Sequence, residues 1–209
     1  MKTDGVTFKL RINIVPEKAF EELKQGAYVD VRNIKQLPDD IKLRVGIIKS
    51  DEFYTDGIRT CTAGELANTE TKETICFHYY DDLNNLENVK TFINFLFGEI
   101  KNPDQGFLIG SKNLKNSNYS LPIFQSFYEE FTKRVKNLSV FREHLFKDSE
   151  SNIHYSQKGN ILNISSTFRE NMGTNYSDLT SPGLLNNCYK EIKLANGDKL
   201  YINGTEVMI

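Results

Sequence analysis

Hydrophobic and polar residues alternate along several short runs in the first 80 residues of the chain. Between residues 6 and 14 every second position is apolar, which places five apolar side chains on one face of a predicted strand. Further strands are predicted over residues 27–31, 41–49, 57–62 and 74–80, where alternating, β-branched or aromatic residues are frequent. The first part of the chain is therefore predicted to be rich in antiparallel β-structure.

Three segments have the signals of helices. Pro16 and Gly26 bracket a short predicted helix over residues 17–25, since proline is tolerated in a first turn and glycine favours helix ends. Farther along, apolar residues recur at three- and four-residue steps, first over residues 85–100 and then from Phe124 to Leu145. The last helix is predicted to begin after Ser120, whose hydroxyl can cap it. Residues 101–119 are predicted to form a loop.

The final segment returns to strand patterns. Asn196-Gly197 and Asn203-Gly204 supply the residues with positive φ that tight hairpins require, which predicts a three-stranded β-meander at the C-terminus. The predicted fold is α+β, a largely antiparallel sheet with a two-helix segment in the middle. We predict a single domain over residues 1–209 that is β-rich over 1–80, helical over 82–147 and β-rich over 148–209.

Composition narrows the compartment and the partners. The formal net charge of −2 provides no overall positive field, so nucleic acid is not indicated as a partner. Three cysteines in a chain long enough to fold without crosslinks favour reduced thiols, in the cytoplasm or in a host cytosol after delivery. The charged N-terminal residues predict neither a signal peptide nor a membrane span. Abundant Asn, Lys, Ile, Phe and Tyr suggest an AT-rich genome, as in many phages and bacteria.

Residues able to do chemistry are concentrated between Gly57 and Tyr80. Asp56 is followed, after thirteen residues, by Glu70, Thr71 and Lys72, which resembles the motif of metal-dependent nucleases of the PD-(D/E)xK type. In such an enzyme Asp56 and Glu70 would hold a divalent cation, Mg²⁺, and Lys72 would position the attacking water. The competing interpretation is structural, because Asp56 stands in a Thr-Asp-Gly sequence that favours a turn.

Cys61 indicates a second kind of chemistry, that of a cysteine hydrolase or deamidase. A nucleophilic thiolate needs a base and an orienting acid close in space, and His154 and Asp178 follow Cys61 in a permitted order. The competing interpretation is that a cysteine on a strand is a small buried apolar residue.

A metal site is a third alternative. Cys76 and His78 share one face of a predicted strand and could bind an ion together with Cys61 and Cys188, although no paired CxxC spacing is present. The competing interpretation makes this face a semi-polar sheet surface covered by a helix.

A fourth alternative comes from the order of three polar positions. Arg59, the Ser165-Ser166-Thr167 triplet and Glu206 resemble the arginine, serine motif and glutamate of ADP-ribosyltransferases. The resemblance implies that Arg59 and the serines would shape a nicotinamide pocket and that Glu206 would support the ribosyl cation. Alternating polar residues on exposed strand faces are the competing interpretation.

These motifs do not single out one reaction, so the sequence favours a binding function. We expect a soluble, cytoplasmic protein of phage or bacterial type that binds another macromolecule, in the first place another protein, as an accessory, effector or inhibitor. The metal-dependent nuclease is the leading alternative. The cysteine hydrolase or deamidase and the ADP-ribosyltransferase-like enzyme follow it.

Overall fold

The computed structural model describes residues 9–15, 34–58, 61–80, 85–110, 120–142, 150–167, 192–202 and 204–208, whose strands form two six-stranded sheets. Sheet 1 has the order β12-β11-β1-β9-β8-β3 and comprises β1 (Arg11–Ile14), β3 (Glu52–Ile58), β8 (Glu150–Ser156), β9 (Ile161–Thr167), β11 (Lys199–Ile202) and β12 (Thr205–Val207). Sheet 2 has the order β10-β7-β6-β4-β5-β2 and comprises β2 (Val45–Ile48), β4 (Thr62–Asn68), β5 (Glu73–Tyr79), β6 (Gln105–Gly110), β7 (Asn137–Arg142) and β10 (Ile192–Lys193). Most described neighbours are antiparallel, whereas β1 is parallel to β9 and β11, and β6 is parallel to β7.

The two sheets pack face to face around a shared hydrophobic core. Phe53, Tyr155 and Leu162 of sheet 1 are buried against residues of sheet 2 such as Phe107 and Ile109. The rings of Phe107 and Tyr155 lie 5.7 Å apart between their centres. Because side chains alternate along a strand, the residues between these positions lie on the opposite faces of the sheets.

Three described helices cover the other face of sheet 2: α1 (Asp39–Lys42), α2 (Leu86–Glu99) and α3 (Ser120–Arg134). The side chain of Asn85 caps α2 by accepting a hydrogen bond from the backbone nitrogen of Asn88. Phe77 of β5 stacks on Phe127 of α3 with ring centres 5.2 Å apart and meets Phe92 of α2 edge-on at 5.8 Å. This aromatic cluster holds the helices on the sheet.

The predicted α+β class is confirmed, since helices pack on mostly antiparallel sheets. The helix predicted over residues 85–100 corresponds to α2 and the strand predicted over 74–80 to β5. β1 is the described part of the first predicted strand. The helix predicted over 17–25 and the strand predicted over 27–31 lie outside the described residues.

The three strands predicted near the C-terminus are present as β10, β11 and β12. β11 and β12 form an antiparallel hairpin across the turn that contains Gly204. β10 pairs instead with β7 of sheet 2, so the turn that contains Gly197 carries the chain from one sheet to the other.

Two predictions about the first part of the chain were wrong. The strand predicted over residues 41–49 begins only at Val45, because the preceding residues form α1. Asp39 and Asp40 stand in the first turn of this helix and Lys42 in its last, which suits the helix dipole. The strand predicted over 57–62 is interrupted, since β3 ends at Ile58 and β4 begins at Thr62.

The helical middle segment, predicted over residues 82–147, also contains two strands. The loop predicted over 101–119 includes β6, and the long helix predicted as far as Leu145 ends at Arg134. Leu138 and Phe141 fit the helical stripe by spacing, yet they lie on β7 and face opposite sides of sheet 2.

No described helix is long and apolar enough to cross a membrane.

Candidate functional site

The structure separates the residues of the nuclease motif. Asp56 is exposed near the end of β3 and lies close to Tyr80, which directly follows β5. Glu70 and Lys72 lie in the turn between β4 and β5, at the opposite end of that hairpin. Because β4 has seven residues, the two ends are roughly 20 Å apart. Asp56 and Glu70 therefore do not converge on one cation.

The structure also does not bring His154 to Cys61. Cys61 is half-buried at the start of β4, whereas His154 is buried on the outer face of sheet 1. Nε2 of His154 lies 2.7 Å from Oε2 of Glu52, and its Nδ1 lies 3.3 Å from Nδ2 of Asn163. Both ring nitrogens are thus engaged by other groups. Asp178 lies outside the described residues.

Cys76 and His78 face sheet 1 rather than a helix. Burial, assisted by the charge of Glu65, raises the pKa of the Cys76 thiol well above its usual value. Burial lowers the pKa of His78 to about 4, and its Nδ1 lies 2.7 Å from the Thr55 hydroxyl. Within the described ranges, no three His, Cys, Asp or Glu side chains are placed to hold a metal ion, and Cys188 lies outside those ranges.

The serine and glutamate of the ADP-ribosyltransferase pattern lie on strands that are not neighbours. Ser165 is buried on β9, and Glu206 is exposed on β12. Three strand spacings separate these two strands, about 14 Å at the usual distance between strands. Glu206 lies 2.9 Å from the ammonium group of Lys199, and Arg59 lies outside the described residues.

A cleft opens at one end of the sandwich, between a turn of each sheet. Asn68, Thr69 and Lys72 line it from the β4–β5 turn, and Gln157 and Lys158 line it from the turn between β8 and β9. The cleft encloses about 450 Å³, which lies within the range of small-molecule sites, about 300–1,000 Å³. Gln157 Nε2 donates to the backbone carbonyl of Lys72 at 2.6 Å and joins the two turns.

Local hydrogen bonds fix the shape of the β4–β5 turn. Oδ1 of Asn68 accepts from the backbone nitrogens of Glu70 and Thr71, at 3.0 and 2.9 Å, which is the turn chemistry that asparagine favours. Thr69 donates to Asp104 through its backbone nitrogen and its hydroxyl. Lys72 ends the turn in the left-handed region, with φ of 60°. The turn therefore presents Lys72 in one defined backbone conformation.

The floor of the cleft is a set of bonded, buried polar groups. Nε2 of Gln105 donates to Oδ1 of Asn160 at 2.9 Å, and Nδ2 of Asn160 donates back to Oε1 of Gln105 at 3.1 Å. The Tyr155 hydroxyl also donates to Oδ1 of Asn160, at 3.1 Å. All three residues are at most 4% exposed. Since buried polar groups are costly unless bonded, this network holds the floor rigidly.

Glu65 lies behind this floor, fully buried between the sheets. Its Oε1 accepts from the Thr74 hydroxyl at 3.0 Å, and its Oε2 has no partner in bonding geometry among the described groups, although Tyr155 is a neighbour. Burial raises the pKa of Glu65 to about 7, against the opposing effect of the Tyr155 and Thr74 hydroxyls. Its carboxyl can therefore gain or lose a proton near neutral pH.

Three charged side chains stand among the residues that line the cleft: Asp51, Lys72 and Lys158. Asp51 comes from the β2–β3 connection, and its backbone carbonyl accepts from the backbone nitrogen of Gln157. The arrangement combines rigid amides at the floor with cations and one carboxylate at the mouth. Such a site can bind a polar molecule through hydrogen bonds and charge.

No protein-family model matches the sequence, and no curated protein is significantly similar to it. The nuclease-like pattern of the sequence predicts a different role for Lys72, and no motif contains Glu65, Gln105 or Asn160. The only local signal was Gly159-Asn160, a pair that is typical of any turn.

Proposed function

We propose that this chain is a binding protein and that the cleft is its site for a small polar ligand. The observation that carries this proposal is the floor, where the amides of Gln105 and Asn160 and the hydroxyl of Tyr155 are buried, bonded and rigid. A polar floor in a cleft of about 450 Å³ favours a ligand of roughly the size of a sugar or a nucleoside, bound through hydroxyl or amide groups.

The test is a thermal-shift screen of neutral and charged sugars, nucleosides and amino acids at millimolar concentration. Ala67 lines the cleft and is 4% exposed, so phenylalanine at this position would fill the space that the ligand needs. We expect that ligands that raise the melting temperature of the wild type do not raise the melting temperature of Ala67→Phe. Ala67→Ser, which keeps the cleft open, is the matched control and should still respond.

Asn160→Gly provides a second variant in case Ala67→Phe does not fold. Asn160 has φ of 49°, a backbone conformation that glycine adopts readily, so this change removes an amide from the floor without straining the turn. Loss of binding in both variants supports the proposal. Unchanged binding in two folded variants would assign the ligand to another part of the molecule.

Binding to a macromolecule, as expected from the sequence, is the second candidate function. It is favoured by three large apolar side chains, of which Leu43 is 83%, Tyr80 43% and Leu86 41% exposed. The backbone nitrogen of Tyr80 donates to the carbonyl of Arg44, so the residue after β5 adjoins the segment that follows α1. Asn88 Nδ2 donates to Asp40 at 2.7 Å and places the start of α2 beside α1. Exposed apolar side chains on adjoining segments are typical of protein contacts.

Quantitative affinity capture from an extract of the source organism tests this second candidate. A protein partner that binds here should be retained by the wild type and lost by Leu43→Glu with Leu86→Glu. Lys133→Glu changes a charge on the exposed side of α3, far from the patch in sequence, and should retain the partner. Equal capture by all three forms would refute a role for this patch.

A further inference from the structure

We propose that the ligand of the cleft carries an oxyanion, a phosphate ester or a carboxylate, which is held between Lys72 and Lys158. This inference rests on the proposed function and names the chemical class of the ligand. It starts from two lysines on turns of different sheets that line the same cleft. A group bound between them would contact both sides of the sandwich.

The two ammonium groups are available for a ligand. In the part of the chain that the structure describes, neither Lys72 nor Lys158 forms an ion pair, whereas five other lysines each lie against a carboxylate: Lys42, Lys49, Lys90, Lys133 and Lys199. Lysines with flexible stems and free charges bind phosphate and carboxylate groups by electrostatic attraction and hydrogen bonding.

The backbone of Lys72 provides an independent argument. With φ of 60°, this residue adopts a conformation that glycine favours and a side chain such as lysine adopts rarely. The bond from Gln157 to the carbonyl of Lys72 holds the strained residue at the rim. Backbone strain of this kind occurs preferentially at binding sites, where it fixes the direction of a side chain.

Asp51 restricts the ligand further. Its carboxylate lines the same cleft, so a purely anionic ligand would be repelled on one side. A hydroxyl or amine donor on the ligand would satisfy Asp51, while the oxyanion lies against the lysines. The floor amides would take further hydroxyl or amide groups. These requirements together describe a hydroxyl-rich body of sugar or nucleoside size with one terminal oxyanion.

Isothermal titration calorimetry of the full chain with four probes tests the inference: inorganic phosphate, glucose 6-phosphate, gluconate and glucose. We expect glucose 6-phosphate, gluconate or both to bind at least about tenfold more tightly than glucose, with an affinity that falls as sodium chloride is raised. Comparing the affinities for glucose 6-phosphate and gluconate distinguishes a preference for a phosphate ester from a preference for a carboxylate. Inorganic phosphate reports how much of the affinity the anion supplies alone.

Four variants locate the charge. Lys72→Gly removes one cation and relaxes the backbone, and Lys158→Gln removes the other cation. Each substitution should lower the affinity for the charged probe about tenfold, equivalent to about 1.4 kcal/mol. Each should also weaken the salt dependence of that affinity. Lys72→Arg keeps the charge and should retain most of the binding. Lys133→Gln removes a lysine charge on α3, outside the cleft-lining residues, and should change nothing.

Two results would overturn the inference, and they bear differently on the proposed function. If neutral polar solutes bind as well as charged ones and Ala67→Phe abolishes that binding, the cleft is a binding site but its ligand is not an anion. If neither charged nor neutral solutes respond to Ala67→Phe or Asn160→Gly, both the inference and the proposed function fail.

Discussion

The side-chain amide of Gln157 donates to the backbone carbonyl of Lys72 at 2.6 Å. These residues lie 85 positions apart in the chain and belong to turns of different sheets. Their bond therefore joins the two turns beside the cleft that both residues line. It links the mouth of the cleft to the strained backbone that presents Lys72.

Removing this bond should loosen the β4–β5 turn without unfolding the protein. Gln157→Ala is expected to cost about 1 kcal/mol of unfolding free energy, since Gln157 is only partly buried and its partner carbonyl can be hydrated. Hydrogen exchange, followed by mass spectrometry of peptides that contain residues 69–73, should become faster in this variant.

Gln125→Ala is the matched control for that experiment. Gln125 lies on α3, where its amide donates to Glu129 one helical turn away. Its removal should leave exchange in residues 69–73 unchanged. If the two variants behave alike in this turn, Gln157 does not hold it in place.

The buried carboxyl of Glu65 should make stability depend on pH in an unusual direction. Its pKa is raised from 4.5 in the unfolded chain to about 7 in the folded protein, chiefly by burial. Between these values the folded state holds the proton more tightly, so the contribution of Glu65 to stability is complete below pH 4.5 and is lost as the pH rises to about 7. The loss amounts to at most about 3 kcal/mol.

The comparison of wild type with Glu65→Gln isolates this effect, because glutamine resembles the protonated acid and does not titrate. Denaturant unfolding at intervals from pH 4 to pH 8 should show the wild type losing stability relative to Glu65→Gln as the pH rises. A difference between the two proteins that stays constant over this range would mean that Glu65 is ionised in the folded protein at acidic pH.

The strands of the sandwich could be predicted from the sequence only where apolar and polar residues alternate clearly along them. β4 was missed because it carries Ala63, Gly64 and Ala67, small residues with little preference for strands. These small residues suit the position of β4 in the middle of sheet 2, because the neighbouring strands β5 and β6 approach it closely. β7 was assigned to a helix because Leu138 and Phe141, three residues apart, fit a helical period as well as opposite strand faces.

The cleft could not be predicted for a related reason. Its floor joins Gln105 to Asn160, 55 positions away, and its mouth joins Lys72 to Gln157. Each residue is ordinary in its local sequence, and only the packing of one sheet on the other brings the turns together. The reactive residue types that cluster along the chain between Gly57 and Tyr80 are instead distributed over both ends of the sandwich.

Two glycines should respond oppositely to a methyl group. Gly98 lies in α2, and a Cβ there would meet nothing within 4 Å, so Gly98→Ala should stabilise the protein by about 0.5–1 kcal/mol. At Gly64 a Cβ would lie 2.5 Å from the carbonyl oxygen of Phe107 and 3.0 Å from the ring of Phe77. Gly64→Ala should therefore destabilise the protein by about 2 kcal/mol or more.

Thermal and denaturant unfolding of both alanine variants measure this difference. Since the substitution is the same, effects on the unfolded chain are similar in the two cases and largely cancel in the comparison. Equal stabilities would contradict the close packing of β4 against β6.

Tyr155→Phe should shift the pH dependence that Glu65 causes. The Tyr155 hydroxyl is the largest of the influences that lower the pKa of Glu65, against the raising effect of burial. Without it, the pKa of Glu65 should rise further, and the loss of stability should extend to a higher pH. Unfolding measured from pH 5 to pH 9 tests this shift. Tyr54→Phe, which removes a hydroxyl from the exposed face of the same sheet, should leave the pH profile unchanged.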